Sequence, residues 1–597
     1  MTEEKQDVGA ELAHIEHAVT DASQQLSLKD IGSERVPGAR GRDSSESPSL
    51  RKAKTGFADS EVRQAVGFGF ASATGGYALI APLLGAINAE IGPDPNVVWV
   101  GLVYLLTQTV IFSIVGRLSD MFGRRWFFIT GSVLGLIGSI LGATARTIPQ
   151  LIGAEVFIGS AAAFQISFFW VIAELVPMKW RFIANSGAYA FTIPTNALAP
   201  KVAQAFQTQT SVRWRGCFYF CIAINVVSVA CWYFFYHPPT FKMLHRRRAA
   251  RDLLLHFDWL GLCLFTGSVL VFVMGLSWGG SVYPWKSGHV IGTIVAGAVM
   301  FVVFILWEVY LPLKDSEPFL PIHLFANLQY ISAAALTAIG AATYFSFSLI
   351  WPQCVNVLYV GLSDSYKGTL FGLVTMGFVF GQIVGGFLAT LWAPKPGLIL
   401  CTCIGGPLLM SAAANPLNMS LTMGLITTGA LFIGMQEGNC IAMTTFPLRS
   451  QEEIGTAGGL SGTIRSFGSV IAEAIYTTIL ANRLARTIPA LVPAAAENAG
   501  LPATSIPALL TGLAGTTNLT AAAVPGLNAN IIDAAGAAYR LANSQAYQTV
   551  FLASFAFGGL GMVLCWFTGG VDKSKDDFVA GHIHKHKEER ALEEERG

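Results

Sequence analysis

The chain has 597 residues, of which 53% are hydrophobic and only 13% charged, and its formal net charge is +1. Soluble domains carry roughly 25% charged residues, so a surface this poor in charge would expose large apolar patches to water. An ordinary soluble protein is excluded; the net charge itself says nothing about partners, and no nucleic acid partner is expected.

Residues 1–64 are polar, rich in Ser and in mixed charges, and contain no signal-peptide core. They read as a disordered cytoplasmic N-terminal tail. Apolar runs near twenty residues then recur, each long enough to cross a hydrocarbon layer of about 30 Å as a helix. The runs predict fourteen spans: 66–87, 97–116, 126–145, 150–175, 183–204, 216–236, 258–278, 289–311, 329–351, 368–392, 397–414, 420–442, 455–480 and 548–568. Segment 482–547 is rich in Ala, Pro, Gly and Thr and reads as a long loop with short helices around 528–545. The end of the chain, 569–597, reads as a second cytoplasmic tail. Its His582, His584 and His586 belong to a solvated charged stretch rather than to a metal site. The nine cysteines lie in or beside apolar spans, among them Cys217, Cys221, Cys263 and Cys565, without zinc-type spacing, as small packing residues do.

An even number of spans leaves both tails on one face, and the loops sort by charge. One face collects Arg117, Arg124, Arg125, Lys179, Arg181, Lys242, Arg246, Arg247, Arg248, Arg251, Lys314, Lys395 and Arg449. The other holds fewer: Arg146, Arg213, Arg215, Lys286, Lys367, Arg483, Arg486 and Arg540. Lys and Arg accumulate on the cytoplasmic side of short loops, so the first face is expected inside. Segment 482–547 then lies outside, as do the glycosylation sequons at Asn418 and Asn518.

Between the second and third spans stands GRLSDMFGRRW, residues 116–126. Gly116 and Gly123 allow close approach and unusual backbone angles. Asp120 can cap a helix or meet the positive end of a neighbouring helix dipole, while Arg124 and Arg125 hold the turn on the inner face. The spacing Gly116, Leu118, Ser119, Asp120, Gly123, Arg124, Arg125 resembles the signature of the major facilitator superfamily. Further stretches are similar to its fungal fourteen-span drug:proton antiporter branch, and there to the trichothecene efflux pump family, which is related to siderophore iron transporters. They are VRWRGCFYF (212–220), YHPPTF (236–241), FDWLGLCLF (257–265), LSWGGSVYPW (276–285), LWE (306–308) and IGTAGGLSGTIRSFGS (454–469).

That resemblance covers about 60–570 and implies an all-α membrane protein of major facilitator fold. Its 14 transmembrane helices form two six-helix bundles, 65–236 and 327–568, with a basic linker and two extra central helices at 237–326. The echo of VFIG (156–159) in LFIG (431–434), and GQIVGG (381–386) followed by a short turn, fit such a repeat. In that family the 116–125 loop locks the two halves of the transporter in one state by charge contacts that break in the other. Asp120 would be the central contact, with Glu174 and Arg181 as partners.

No phosphate loop of the G-x-x-x-x-G-K-[ST] kind occurs, and no cofactor is expected. An ion gradient must then drive any uphill transport. Carboxylates in a low-dielectric cavity suit proton coupling, and intramembrane charge is functional by default. Glu437, Glu155 and Glu473 are candidates, with Arg465 able to hold one of them. At Glu155 many proton antiporters carry an Arg, and their fifth-span G-P-x-x-G-G motif survives here only as Ala199-Pro200. Gln165, Phe168, Trp170, Tyr189, Asn196, Tyr344 and Trp351 are candidates for contact with a bulky, mostly apolar ligand fixed by a few hydrogen bonds.

The expected function is export of trichothecene-like toxins or drugs across the plasma membrane by proton antiport, with a vacuolar or vesicular membrane as the other location. The alternatives are a siderophore-iron importer driven by proton symport and a transporter-like nutrient receptor. The partners are a small-molecule substrate, protons and the lipid bilayer, and the chain is expected to act as a monomer.

Overall fold

The computed structural model describes residues 60–237, 257–279, 283–310, 323–392, 394–412, 415–447, 451–513 and 524–569. Most of both tails, the basic run Lys242–Arg251, Lys314, Arg449, Asn518 and the three tail histidines lie outside them.

Among the described residues the fold is helical, with no strand beyond an isolated bridge between Gly279 and Tyr283. A backbone in hydrocarbon must satisfy its own polar groups, and a helix does so within one segment. Eleven stretches are long and apolar enough to cross a membrane by length and composition. Helices also stand at the other three expected positions, but each departs from a plain apolar rod. At the fifth, α7 (Arg181–Phe191) and α8 (Ala199–Gln209) flank a wide π-type turn, Ile193–Ala197, beside Pro194 and Pro200. At the eleventh, α16 (Pro394–Ser411) has an internal Pro407. At the thirteenth, α18 (Gln451–Asn498) is polar and unusually long.

The first bundle runs α1 (Ser60–Ala78), α2 (Leu84–Ile91), α3 (Trp99–Phe122), α4 (Arg125–Thr144), α5 (Ile148–Ile166), α6 (Phe168–Leu175), α7, α8 and α9 (Arg215–Phe235). A hairpin follows, α10 (Trp259–Trp278) and α11 (Gly288–Tyr310), and then a short α12 (His323–Ala326). The second bundle runs α13 (Leu328–Leu358), α14 (Asp364–Phe371), α15 (Leu373–Leu391), α16, α17 (Met419–Met443), α18, α19 (Ile506–Leu513) and α20 (Ala529–Cys565). Polar side chains start several helices: Thr147 accepts from Gln150 N, Asp258 from Gly261 N, Asn327 from Tyr330 N, and Asn418 from Leu421 N.

The hairpin α10–α11 is clamped where Trp307 Nε1 donates to Asp258, and it leans through α10 on α3 and α18. Its second helix shows Ile291, Val295, Val299, Val302 and Ile305 on the outside. Such a face suits lipid and not water.

Segment 482–547 differs from the expected loop. Helix α18 continues to Asn498 through Pro489 and Pro493, and α20 begins at Ala529. With α19 they enclose a small core of Val492, Ala496, Leu501, Leu509, Val524, Ile531 and Ala535. Ala is the strongest helix former, and packing outweighs the breakers.

Candidate functional site

Two seams join the bundles. In the first, α3 and α18 run antiparallel along their length. Gly116 faces Gly455 and Gly459 so closely that a Cβ on Gly116 would stand 2.7 Å from Gly455 O and 2.8 Å from Gly459 Cα. Higher up, Ser466 Oγ lies 2.7 Å from Gln108 Oε1, and Glu473 faces Gly101. Small residues let helix backbones approach in a setting where apolar burial alone gives no drive. In the second seam, α7 and α8 meet α15 and α14. Ser186 lies against Gly386, Thr375 Oγ1 donates to Ala197 O at 3.1 Å, and Gln204 packs on Gly368. Both seams are closed at the end carrying the 116–125 turn, here called the motif end, and at the far end.

At the motif end Gly123 takes φ +88°, a left-handed value that favours glycine, and terminates α3. The preceding turn aims Asp120 at the start of α18. Its Oδ1 accepts from Gly455 N (3.1 Å), and its Oδ2 from Thr456 N (2.7 Å) and Thr456 Oγ1 (3.0 Å). Arg124 Nη2 donates to Asp120 Oδ1 at 2.9 Å, and Arg124 Nη1 lies 2.9 Å from Glu174 Oε2. The expected partnership is thus rearranged. Asp120 reaches Arg124 and two backbone amides, while Arg124 links it to Glu174. Arg181 donates to carbonyls, at Ala173 (2.6 Å) and, across the seam, at Thr445 (2.9 Å). Arg125 donates to Tyr233 O at 2.7 Å. Sequence alone identified the acid but not the amides that donate to it, because only the fold brings residues 120 and 456 together.

Replacing Asp120 by Ala removes three bonds that cross the seam. Hydrogen bonds to charged groups are worth about 1.5–3 kcal/mol each, and about 1.4 kcal/mol is tenfold in an equilibrium. Asp120→Ala is expected to cut transport at least tenfold and to make a cysteine at Ser119, buried in the parent, reactive from the motif side. An unreactive Ser119→Cys in that background would show that the contact does not hold the seam.

The middle of the second bundle holds a buried polar group. Glu437 on α17 is 0% exposed. Its Oε1 accepts from Arg465 Nε at 2.8 Å, and its Oε2 from Gln382 Nε2 at 2.7 Å. The Arg465 guanidinium sits 5.6 Å from the Phe345 ring centre, and its Nη1 has no hydrogen-bond partner. Tyr189 and Tyr344 lie within electrostatic reach of both charges. Tyr344 donates to Asn196 Oδ1 at 2.6 Å, in the π-type turn of the first bundle, whereas the Tyr189 hydroxyl is buried without a partner. The structure therefore gathers Glu437, Arg465, Tyr189, Asn196 and Tyr344 from the expected set. It adds Gln382, present in the sequence within GQIVGG but lacking any signal that it meets an acid.

The remaining candidates lie elsewhere. Gln165 donates to Phe128 O (2.6 Å) and Ser132 Oγ (2.8 Å) and accepts from Trp232 Nε1 (2.8 Å), which ties α4, α5 and α9 together. Phe168 packs on Phe70 and Tyr189 in the first bundle's core. Trp170 lies against Gly458 at the motif end, under the Arg124 guanidinium. Trp351 Nε1 donates to Leu370 O at 2.6 Å and braces α13 against α14. These four side chains hold helices together, and Phe168 does so beside Tyr189 of the central group. Glu155 is buried and both its oxygens lack partners. Glu473 meets Tyr77 of α1. Asn418 is exposed and caps α17.

Two helical bundles, glycine-lined seams between them and a charged group buried behind those seams define a multi-span membrane transporter. A family model described as fungal trichothecene efflux pump (TRI12) matches residues 64–594, and the chain belongs to that family. The trichothecene efflux pump TRI12 of Fusarium sporotrichioides is 26% identical over 85% of this chain and 85% of its own length. The MFS-type transporter prx5 of Penicillium rubens is 30% identical over 73% of this chain and 79% of its own. The crystal structure of the human organic anion transporter MFSD10 shares the fold at 13% identity. It matches 85% of this chain and 99% of that one with a TM-score of 0.50.

Proposed function

We propose that the protein exports a bulky, mostly apolar secondary metabolite of the trichothecene kind across the plasma membrane by proton antiport, alternating access through its two seams. The motif end faces the cytoplasm in this reading, as the excess of Lys and Arg there requires. The observation that carries it is the Glu437–Arg465–Gln382 group, buried behind the seams, with Tyr189 of the first bundle in electrostatic reach and Tyr344 of the second bonded to Asn196 of the first. A proton on Glu437 releases Arg465, and the freed guanidinium with the open Tyr189 hydroxyl meets the polar groups of a ligand. One charge moved with the membrane field yields about 2.3 kcal/mol per 100 mV, enough to concentrate a neutral solute tens of fold.

The test is flux in proteoliposomes under an imposed pH gradient, with a trichothecene as substrate. Glu437→Gln keeps the side chain's shape but cannot lose a proton. It is expected to abolish gradient-driven accumulation while leaving substrate exchange without a gradient within about threefold of the parent, a difference of under 1 kcal/mol. Accumulation by Glu437→Gln equal to that of the parent would remove Glu437 from the coupling step.

A further inference from the structure

Glu473 stands on α18 in the far half of the α3–α18 seam, about 27 Å along the helix from the Asp120 contact at 1.5 Å per residue. It is 0% exposed and forms no ion pair among the described residues. The parts of α1, α3, α10, α13 and α20 that pack along this stretch, 64–78, 99–115, 259–278, 328–358 and 541–565, contain no Asp, Glu, Lys, Arg or His. Titratable groups near it are Tyr77 of α1, Tyr104 of α3 beside Tyr77, and Glu155 of α5 beyond Tyr104. Arg465, two turns nearer the motif end, is committed to Glu437.

Hydrogen bonding gives this carboxyl little support. Tyr77 Oη lies 3.0 Å from Phe345 O and 3.3 Å from Glu473 Oε2. A phenol has one proton, and a carbonyl can only accept. The one Tyr77 proton is shared between two acceptors, so Glu473 Oε2 receives at most a long, divided hydrogen bond from Tyr77. The other oxygen, Glu473 Oε1, has no partner and rests against Gly101, where a Cβ would stand 2.9 Å from it. An ionised carboxylate enclosed in this way without a cation carries the full desolvation cost, whereas the neutral acid does not.

We propose that Glu473 is a second proton-binding site, distinct from Glu437, and that the far seam closes only around its protonated form. The inference rests on the alternating-access reading but not on the choice of Glu437 as coupling group. A proton taken from outside lets the emptied transporter close its far seam. Loss of that proton toward the cytoplasm leaves the carboxylate unpaired and favours reopening outward with substrate.

The test places spin labels at Val98→Cys and Val360→Cys, two exposed positions at the far ends of the bundles, with exposed Cys263 and Cys403 replaced by Ser. Distances are read by pulsed electron resonance on the full chain in lipid nanodiscs between about pH 5 and 8.5, a range that brackets a buried carboxyl. In the parent the distance is expected to shorten as pH falls, with one midpoint. Glu473→Gln, a mimic of the neutral acid, should be short at every pH. Tyr77→Phe removes the one hydroxyl that donates to the carboxyl and should raise the midpoint by about one pH unit, the worth of one hydrogen bond.

A parent distance indifferent to pH overturns the proposal, as does Glu473→Gln following the parent curve. Should Glu473→Gln not fold, an unmoved Tyr77→Phe midpoint overturns it alone. Glu437→Gln is expected to keep the pH-dependent distance, so failure of Glu437 in the flux assay and failure of this gate are read separately.

Discussion

Arg465→Leu is expected to abolish proton-driven export and to lower unfolding stability by about 3–5 kcal/mol, the range for stranding one member of a buried ion pair. Glu437 would keep Gln382 as a donor but lose the Arg465 cation, at 0% exposure. The partners sit on consecutive helices of one bundle, and the pair ties α17 to α18. The double variant Arg465→Leu with Glu437→Met separates the two roles. Replacing a buried pair by apolar residues is often neutral or stabilising, so the double variant should unfold close to the parent yet still fail to transport against a gradient. Thermal unfolding in detergent and gradient-driven flux give the two readouts. If Arg465→Leu unfolds within 1 °C of the parent, the pair contributes nothing to packing.

The second large effect is steric. A Cβ on Gly459 would meet Phe112 O at 2.7 Å and Gly116 Cα at 2.8 Å, both backbone atoms that cannot step aside. Gly459→Leu therefore wedges α18 away from α3 at the motif end. Overpacking costs about 1–3 kcal/mol, and here that cost falls only on the conformation in which the seam is shut. The closed population should drop about five- to more than a hundredfold. Export should fall at least tenfold, and a Ser119→Cys reporter should label freely from the motif side. Gly424→Leu is the control, since nothing lies within 4 Å of a Cβ there. It should transport and label as the parent does. Equal behaviour of the two leucine variants would mean that the α3–α18 approach is not part of the cycle.

The apolar runs made most helices legible because length and hydropathy alone decide whether a segment suits hydrocarbon. The glycine-rich stretch 454–469 was legible as important, and it forms the seam against Gly116. What could not be read is who meets whom. Asp120 finds the amides of residues 455 and 456, more than three hundred positions away in the chain. Gln382 and Tyr77 look like ordinary polar residues until α15 and α1 set them beside Glu437 and Glu473. Phe168, Trp170 and Trp351 pack against neighbouring helices, and ring size signals burial as readily as ligand contact. In segment 482–547 the prolines and glycines suggested a loop, but Ala-rich helices that shelter one another's apolar faces overrode them.

Helix α18 carries the Asp120 contact near its start, Arg465 and then Glu473 further along, and the small helical lobe at its end. One continuous rod thus spans every level of the transport path. Tilting it shifts the latch, the central charge and the outer carboxyl together, without any relay of side chains to pass a message between them. The lobe rides on the same rod, so antibody fragments or crosslinks that immobilise 482–547 should slow turnover from a distance of tens of ångströms, with no residue of the path touched.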